Sequence, residues 1–413
     1  MESMIRNVSM SEGDNQDLQS EHIEKEKVLK NIGGIMFVSL LMIVGFGGNS
    51  IAIFVYLRKY KQSSYRTFIV SLAIVDLATC CVPMIFIILT LRYPINFFNS
   101  WACKLRTFLI YSMCIGSSMI LVTIAVERYR KICVPFGIQL SAGMSKYICI
   151  LDVVLGIALS WPAAVFYGNK SVKNGADQII GTECDVSDDF ADTKYPVYFN
   201  IFLLFLVFAT LIALSLIYAF IGQQIFRMKK IISRKRPNDI SQDDLVTIKF
   251  SPSECSFREE ESKGERVQII YDDRSNISAI SFKANGQEKQ SIDGKAITHV
   301  SSEGGPNQKD NESKQNKRVA VTRVFFIITV VYFCSFLPHF ALRIADVLNK
   351  SFVPSLSFAG TVAYQTFRWT FFINNMANPI IYALYDRKFM GEVSMLCRSC
   401  FRICLKIKPK TRW

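Results

Sequence analysis

The segment Thr107–Val126 reads TFLIYSMCIGSSMILVTIAV, carries no Asp, Glu, Lys or Arg, and is followed directly by the polar triplet Glu127-Arg128-Tyr129. An α-helix needs about 20 predominantly apolar residues to cross the hydrocarbon core of a bilayer. Only 20% of the residues in the chain are charged, and they cluster between long uncharged runs of this kind. The segment therefore predicts a membrane-spanning helix that ends in a charged triplet.

Six further segments have the same apolar character: Ile32–Leu57, Thr67–Leu91, Tyr147–Tyr167, Tyr195–Phe226, Val324–Leu342 and Phe358–Leu384. The charged residues within all seven segments are limited to Asp76, Asp152 and Arg368. Seven spans predict an all-α fold, a seven-transmembrane helix bundle. After the seventh span, Phe389, Val393 and Leu396 recur at helical spacing among charged residues, which predicts a short cytoplasmic amphipathic helix.

The net charge of +14 lies in the loops beside these spans, so it indicates membrane topology and lipid contact rather than nucleic-acid binding. Lys and Arg concentrate in cytoplasmic loops. They are dense in residues 58–66, 128–146 and 227–236 and in the C-terminal tail. We therefore expect a multi-pass protein of the plasma membrane with an extracellular N-terminus and a cytoplasmic C-terminus. The first 30 residues lack an apolar stretch, so the first span is expected to act as an uncleaved signal-anchor.

The polar and apolar stretches divide the chain into five parts. They are an extracellular N-terminal segment (1–31), spans one to five (32–226), a third cytoplasmic loop (227–316), spans six and seven (317–385), and the amphipathic helix with the tail (386–413). The third loop is rich in Ser, Lys, Glu, Asp, Asn and Gly and has no long apolar periodicity, which predicts disorder.

Cysteines and sequons provide candidate modification sites. Of 12 cysteines, only Cys103 and Cys184 fall on the side assigned as extracellular, where disulfides persist, so we expect them to pair; two free thiols are the alternative. Extracellular sequons begin at Asn7, Asn169 and Asn349 and are candidates for glycosylation. Cys397, Cys400 and Cys404 follow the amphipathic helix and are well placed for palmitoylation. The Cys-x-x-Cys spacing there does not favour zinc, because no second pair or His accompanies it.

Short motifs recur in nearly every span, and their order is more informative than any one of them. They are Gly48-Asn49, Ser71-Leu72-Ala73-Ile74-Val75-Asp76, Trp101-Ala102-Cys103, Glu127-Arg128-Tyr129, Trp161-Pro162 and Asn378-Pro379-Ile380-Ile381-Tyr382. In this order and placement they resemble the rhodopsin-like (class A) G-protein-coupled receptors. The resemblance covers all seven spans. It implies a receptor that activates heterotrimeric G proteins, with receptor kinases, arrestin and membrane lipid as further partners.

The resemblance also implies an ion site in the membrane core. An ionisable residue within a span is costly and is a functional candidate by default. In the family, the position of Asp76 forms a polar pocket for sodium with the positions of Ser117, Asn374 and Asn378. Oxygen ligands suit a hard cation. The alternative is a hydrogen-bonded polar cluster without an ion; no other metal or cofactor is expected.

Residues of the family's activation machinery are present, with departures. In the family, Glu127 would hold Arg128 at rest and release it to the G protein beside Tyr129. Tyr218 and Tyr382 match positions that meet near the G-protein cavity. The switch positions are Phe336, Pro338 and Pro379; Pro338 can kink its helix. The departures are Arg318 where many relatives have an acid, Thr210 where they have proline, and Phe336 where they have tryptophan.

The ligand class is predicted from residues that other receptor groups have and this sequence lacks, and from the charges of one loop. Phe372 replaces the lysine of retinal-binding relatives, and Ile110 replaces the aspartate of amine receptors. The loop from Ala163 to Lys194 carries six acidic residues against three lysines, which favours a basic peptide, although a merely solvated loop is as good an interpretation.

A second set of residues points to an anionic group on the ligand. Arginine forks suit carboxylate, phosphate or sulfate. The candidate pocket consists of Arg106, Tyr111, His339, Arg343, Tyr364 and Arg368. The alternative is that the arginines reach outward or pair with Asp346. Together these features predict a receptor of the neuropeptide type. A receptor for a lipid or small carboxylic acid is the closer alternative, and a transporter the more distant one; no motif favours an enzyme.

Overall fold

A computed structural model describes residues 2–95, 100–135, 137–173, 179–234, 266–271, 277–283, 308–349 and 351–406. The chain forms two compact units, one of residues 1–236 with 315–413 and the other of residues 237–314. The first unit is a bundle of long helices. The second includes an antiparallel hairpin of β3 (Arg266–Tyr271) and β4 (Ile277–Lys283).

The helices of the bundle follow the predicted spans. In chain order they are α1 (Glu2–Lys59), α2 (Ser64–Cys81), α3 (Pro83–Arg92), α4 (Ser100–Cys133), α5 (Ala142–Phe166), α6 (Asp188–Ala191), α7 (Tyr195–Arg234), α8 (Gln308–Leu348), α9 (Phe358–Phe367), α10 (Ile373–Tyr385) and α11 (Arg387–Lys406). Within the described ranges, six helical segments are long and apolar enough to cross a membrane.

The seventh crossing, predicted at Phe358–Leu384, is an interrupted helix. It consists of α9, a 3₁₀ turn at Thr370–Phe372, and α10. Neither half reaches membrane length by itself, but together they cover the predicted span. The second crossing is also divided, because Pro83 has no N–H to continue the helix and begins α3. The predicted all-α, seven-helix class is confirmed.

Three features differ from the predicted boundaries. Helix α1 begins at Glu2, so the predicted boundary at residue 31 falls inside a continuous helix. Helix α7 runs to Arg234 and α8 begins at Gln308, which shortens the predicted loop 227–316 from both ends. The disorder predicted for that loop concerns mainly residues outside the described ranges.

An antiparallel hairpin follows α5 and was not expected from an all-helical pattern. Strand β1 (Tyr167–Lys173) pairs with β2 (Ile179–Val186), with Asn169 opposite Cys184. The predicted disulfide joins Cys184 to Cys103 at the start of α4, with Cα atoms 5.5 Å apart. We call this part of the bundle the disulfide end and the opposite part the Arg128 end.

Close contact between α4 and α5 depends on glycine. A Cβ atom added at Gly156 would lie 2.7 Å from the main-chain oxygen of Ser112 and 2.8 Å from the nitrogen of Gly116. The backbones can therefore approach because neither helix places a side chain between them, as is common in membrane bundles. This contact sets α4, which carries functional residues at both ends, against the rest of the bundle.

Candidate functional site

A cavity of about 890 Å³ opens at the disulfide end. Residues of α4, β2, α7, α8 and α9 line it. All six residues of the predicted pocket are among the lining: Arg106, Tyr111, His339, Arg343, Tyr364 and Arg368. Residues that are 262 positions apart in the chain, such as Arg106 and Arg368, are thus brought to one cavity by the helix packing.

The three arginines are held differently. Arg368 donates to the side-chain oxygen of Gln365 at 3.1 Å, and its guanidinium carbon lies 5.0 Å from the ring centre of Trp369. Arg343 pairs with Asp346 at 3.7 Å, which was the expected alternative for this residue. The Nε atom of Arg106 is buried and has no hydrogen-bond partner among the described residues.

The cavity has a net positive lining. Its charged residues are Lys27, Lys30, Arg106, Arg343 and Arg368 against Glu183, Asp185 and Asp346, a net charge of +2. Arg106 and Arg343 both repel the guanidinium of Arg368. Like charges that share a partly buried space are stabilised by an anion, which would also satisfy their free N–H groups.

The acidic residues at the mouth are already partly paired. Glu183 accepts from Lys27 at 3.1 Å, and Asp185 accepts from Lys170 at 3.1 Å. Burial opposes the charged form of Lys170, but the charges of Asp185, Glu183 and Asp188 and the hydrogen bond to Asp185 together outweigh it, so the pKa of Lys170 is raised. The mouth is therefore less strongly negative than the loop composition suggests.

The sequence does not single out several residues of the cavity. Lys27 reaches it from α1, in a stretch that composition assigns to an N-terminal segment. Tyr167 shares a hydrogen bond with Tyr111 at 3.2 Å and donates to Asn200 at 3.3 Å. No spacing in the sequence connects these residues, because they lie on α1, α4, β1 and α7.

Aromatic residues form the floor of the cavity. The buried Phe336 ring lies 4.6 Å from Tyr332 and 5.8 Å from Phe371, measured between ring centres. Pro338 lies two residues further along, inside α8. His339 faces Phe371 at 4.9 Å. The predicted switch position Phe336 therefore packs against the seventh crossing and lines the same cavity as the arginines.

A buried polar centre lies deeper in the bundle. The carboxylate of Asp76 accepts from Asn378 at 2.7 Å, as the predicted grouping implies, and from Asn375 at 2.9 Å. Asn375 is absent from the predicted set, which names its neighbour Asn374. Asn375 also accepts, through its main-chain oxygen, from Asn49 at 2.8 Å.

The remaining predicted members line a void of about 10 Å³ beside this cluster. The side-chain oxygens of Ser117 and Asn374 are buried without a hydrogen-bond partner in the described part of the chain. The void has room for one water molecule or a small ion. Unpartnered oxygens near a buried carboxylate are a donor set that fits a hard cation.

The charged triplet lies at the opposite end of α4. Glu127 pairs with Arg128 and also with Lys131 at 2.5 Å. The side chains of Glu127 and Arg128 are both buried. The Arg128 guanidinium lies 5.4 Å from the ring centre of Phe325. Tyr129 packs near Phe220 at 6.5 Å. Arg318 is exposed, consistent with a position that does not restrain the triplet.

Tyr382 and Tyr218 are buried in the same half of the bundle. Tyr382 packs against Tyr56 and Phe389, and Tyr218 packs against Phe326 at 5.4 Å. Pro379, the third switch position, lies inside α10, where its side chain meets Gly48.

The modification sites are placed as follows. Asn169 is half-buried on β1, Asn349 is exposed after α8, and Cys397 is exposed on α11. The side chains of Asn7, Cys400 and Cys404 lie outside the described residues.

The fold and its polar centre define a multi-pass membrane receptor built from seven helices. The model of the 7 transmembrane receptor (rhodopsin family) matches residues 48–382, and the chain belongs to this family of G-protein-coupled receptors. Its members are signalling receptors rather than enzymes.

Individual relatives differ in ligand class. The cysteinyl leukotriene receptor 1 of Sus scrofa is 26% identical over 51% of this chain and 62% of that receptor. The 5-hydroxytryptamine receptor 2B of Mus musculus is 22% identical over 90% of this chain and 73% of that receptor. The neuropeptide S receptor of Mus musculus is 23% identical over 46% and 50%. The chain thus spans less than two thirds of two of these three relatives.

Proposed function

We propose that this G-protein-coupled receptor binds a peptide that carries an anionic group, and that Arg106, Arg343 and Arg368 receive that group. The observation that carries the proposal is that three arginines from three different membrane crossings line one cavity. Arg106 supports it most directly, because its buried Nε lacks a partner among the described residues. A buried donor without a partner costs free energy that a ligand acceptor would recover.

The mouth of the cavity favours a peptide over a small molecule. Charges of both signs, on Lys27, Glu183 and Asp185, lie at the wall that α1 and β2 form. A peptide can meet such a mixed rim with its own charged side chains while one anionic group lies among the arginines. An amine is not favoured although one relative is a serotonin receptor, because the apolar Ile110 lines the cavity where amine receptors carry an aspartate.

A lipid or small carboxylic acid is the second candidate. Part of the cavity lining is apolar and includes Met119, Leu206 and Val207, which could take a hydrocarbon tail. The leukotriene receptor among the relatives points the same way.

The orientation belongs to the same proposal. The disulfide end faces the outside of the plasma membrane and the Arg128 end faces the cytoplasm, where the basic ends of α4 and α11 are rich in Lys and Arg. Receptor kinases, arrestin and membrane lipid meet the cytoplasmic face, and Asn349 and Cys397 are exposed for modification, whereas Asn169 is half-buried.

The void beside Asp76 accommodates a sodium ion. Asp76, Ser117 and Asn374 would hold it, and the ion would supply positive charge to a buried carboxylate. The amide groups of Asn375 and Asn378 already donate to Asp76.

The test is a peptide screen in cells that express the full chain, with calcium and cyclic AMP recorded together. Each peptide is supplied as a free acid and as a C-terminal amide, beside a panel of lipid acids. We expect an active peptide whose potency falls at least tenfold in Arg368→Gln at equal surface expression. Arg92→Gln is the matched control, because Arg92 is exposed outside the cavity.

The outcomes separate the candidates. Responses to lipid acids alone would replace the peptide proposal with the second candidate. The proposed anion site would be ruled out if an active peptide had the same potency on the control and on Arg106→Gln, Arg343→Gln and Arg368→Gln.

A further inference from the structure

One carboxylate joins three helices at the Arg128 end. Asp386 is the single residue between α10 and α11. Its Oδ1 accepts the main-chain N–H groups of Lys388 and Phe389, each at 3.1 Å, so the side chain caps the start of α11. Its Oδ2 accepts the hydroxyl of Tyr56 at 2.9 Å and that of Tyr65 at 3.1 Å. Tyr56 lies on α1 and Tyr65 on α2, so both oxygens are used.

Further contacts hold α11 against the end of α1. The ammonium group of Lys388 donates to the main-chain oxygen of Lys59 at 2.7 Å and lies 4.5 Å from the ring centre of Tyr60. Lys59 in turn pairs with Glu392 at 3.1 Å. This ion pair is partly exposed, so water weakens it, whereas Tyr56 is fully buried.

The same arrangement encloses Tyr382. The Tyr382 ring is fully buried, 5.7 Å from Tyr56 and 6.1 Å from Phe389 between ring centres, and Tyr56 and Phe389 stack on each other at 5.4 Å. The Tyr382 hydroxyl has no hydrogen-bond partner in the described residues. A buried hydroxyl without a partner is costly, so packing must hold the ring in place.

We propose that Asp386 is a positioning residue that, through the hydroxyls of Tyr56 and Tyr65, keeps α11 on α1 and α2 and thereby holds Tyr382 in its resting position. The structure has Arg128 paired with Glu127, the arrangement expected at rest. Contacts that exist only in one state stabilise that state, so their loss shifts the population toward the other. The proposal rests on family membership and not on the identity of the ligand.

The decisive variant is the double change Tyr56→Phe with Tyr65→Phe, which keeps both rings and the cap on α11. We expect ligand-independent G-protein activation to rise by roughly tenfold or more per receptor at the cell surface, because the double change removes two hydrogen bonds to a carboxylate. Asp386→Ser can still cap α11 but has one side-chain oxygen instead of two, so it should raise ligand-independent G-protein activation as well. Arg398→Gln, at an exposed position of α11 outside these contacts, is the control and should match the wild type.

Hydrogen exchange on the purified full-length receptor gives a second measurement that needs no G protein. In the double variant, the amides of the last turn of α10, around Tyr382, should exchange faster than in the wild type and the control. Faster exchange in the last turn of α10 supports the proposal even where no tested G protein responds. Unchanged exchange there, or ligand-independent signalling at or below the wild-type level with a responsive G protein, overturns it.

Discussion

The Nδ1 atom of His339 lies 2.6 Å from the main-chain oxygen of Arg368. The ring nitrogen must be the donor, because a carbonyl oxygen carries no hydrogen. Arg368 is the C-cap residue that follows α9, where the crossing changes to a 3₁₀ turn, so its carbonyl oxygen needs a partner outside the helix. His339 immediately follows Pro338 in α8. The bond therefore joins two irregular points of two helices beside the proposed anion site.

The first prediction concerns this bond. His339→Asn can place an amide N–H near the position of Nδ1, whereas His339→Gln places its amide near Nε2. We expect Asn to retain most of the thermal stability of the purified receptor. Gln and Ala should lower the apparent Tm by several degrees, because a buried carbonyl loses its donor at a cost of about 1–3 kcal/mol. Equal stability of all three variants would show that the bond contributes nothing.

The disulfide provides the second prediction. Cys103→Ala and Cys184→Ala should each reduce surface expression and lower the free energy of unfolding by about 2–5 kcal/mol. The double variant should be no worse than either single variant, because both remove the same crosslink. Heat-induced loss of folded receptor, with and without reductant, measures this. Additive losses would mean that the thiols act separately.

The sodium site provides the third prediction. Replacing choline chloride by sodium chloride at constant ionic strength should raise the apparent Tm of the wild-type receptor. The increase should be smaller or absent in Ser117→Ala and in Asp76→Asn, because each removes an oxygen or a charge from the donor set. Potassium chloride controls for a general salt effect. A wild-type Tm that does not respond to sodium would contradict the proposal.

Helix contact provides the fourth prediction. Gly156→Ala places a methyl group 2.7 Å from the main-chain oxygen of Ser112, so the two helices must separate. Overpacking of this kind costs about 1–3 kcal/mol. Gly222→Ala is the control, since nothing lies within 4 Å of the added atom, and it should be neutral or slightly stabilising. Thermal stability of the two variants, compared side by side, checks this; equal values would show that α4 and α5 can move apart without cost.

The candidate site was predictable where the residue type itself was unusual. Arg368 in an apolar span, and Arg106 and Arg343 near span ends, stand out by charge, and the structure places all three on one cavity. Asn375 could not be chosen over Asn374 by type, because both are asparagines. Which of them faces Asp76 depends on the rotation of α10 after the 3₁₀ turn.

Other residues gave no signal. Lys27 belongs to a charged polar stretch, and only the continuation of α1 brings it to Glu183. Tyr56 is an ordinary aromatic residue of the first predicted span, and Tyr65 lies in the basic segment 58–66 just before the second. Asp386 is one of several charges after the seventh crossing. Their shared hydrogen bonds arise because α10 ends beside the junction of α1 and α2.

The sequence by itself determined seven crossings and the membrane environment, because the length of an apolar run is a local property of the chain. It selected Cys103 and Cys184 as the expected pair, and the structure shows the bond. Tertiary structure alone decided which polar groups meet inside the bundle. These contacts between polar groups depend on helix rotation, on the break at Arg368 and on the glycine contact at Gly156. Each of the three depends on packing between segments that are distant in the chain.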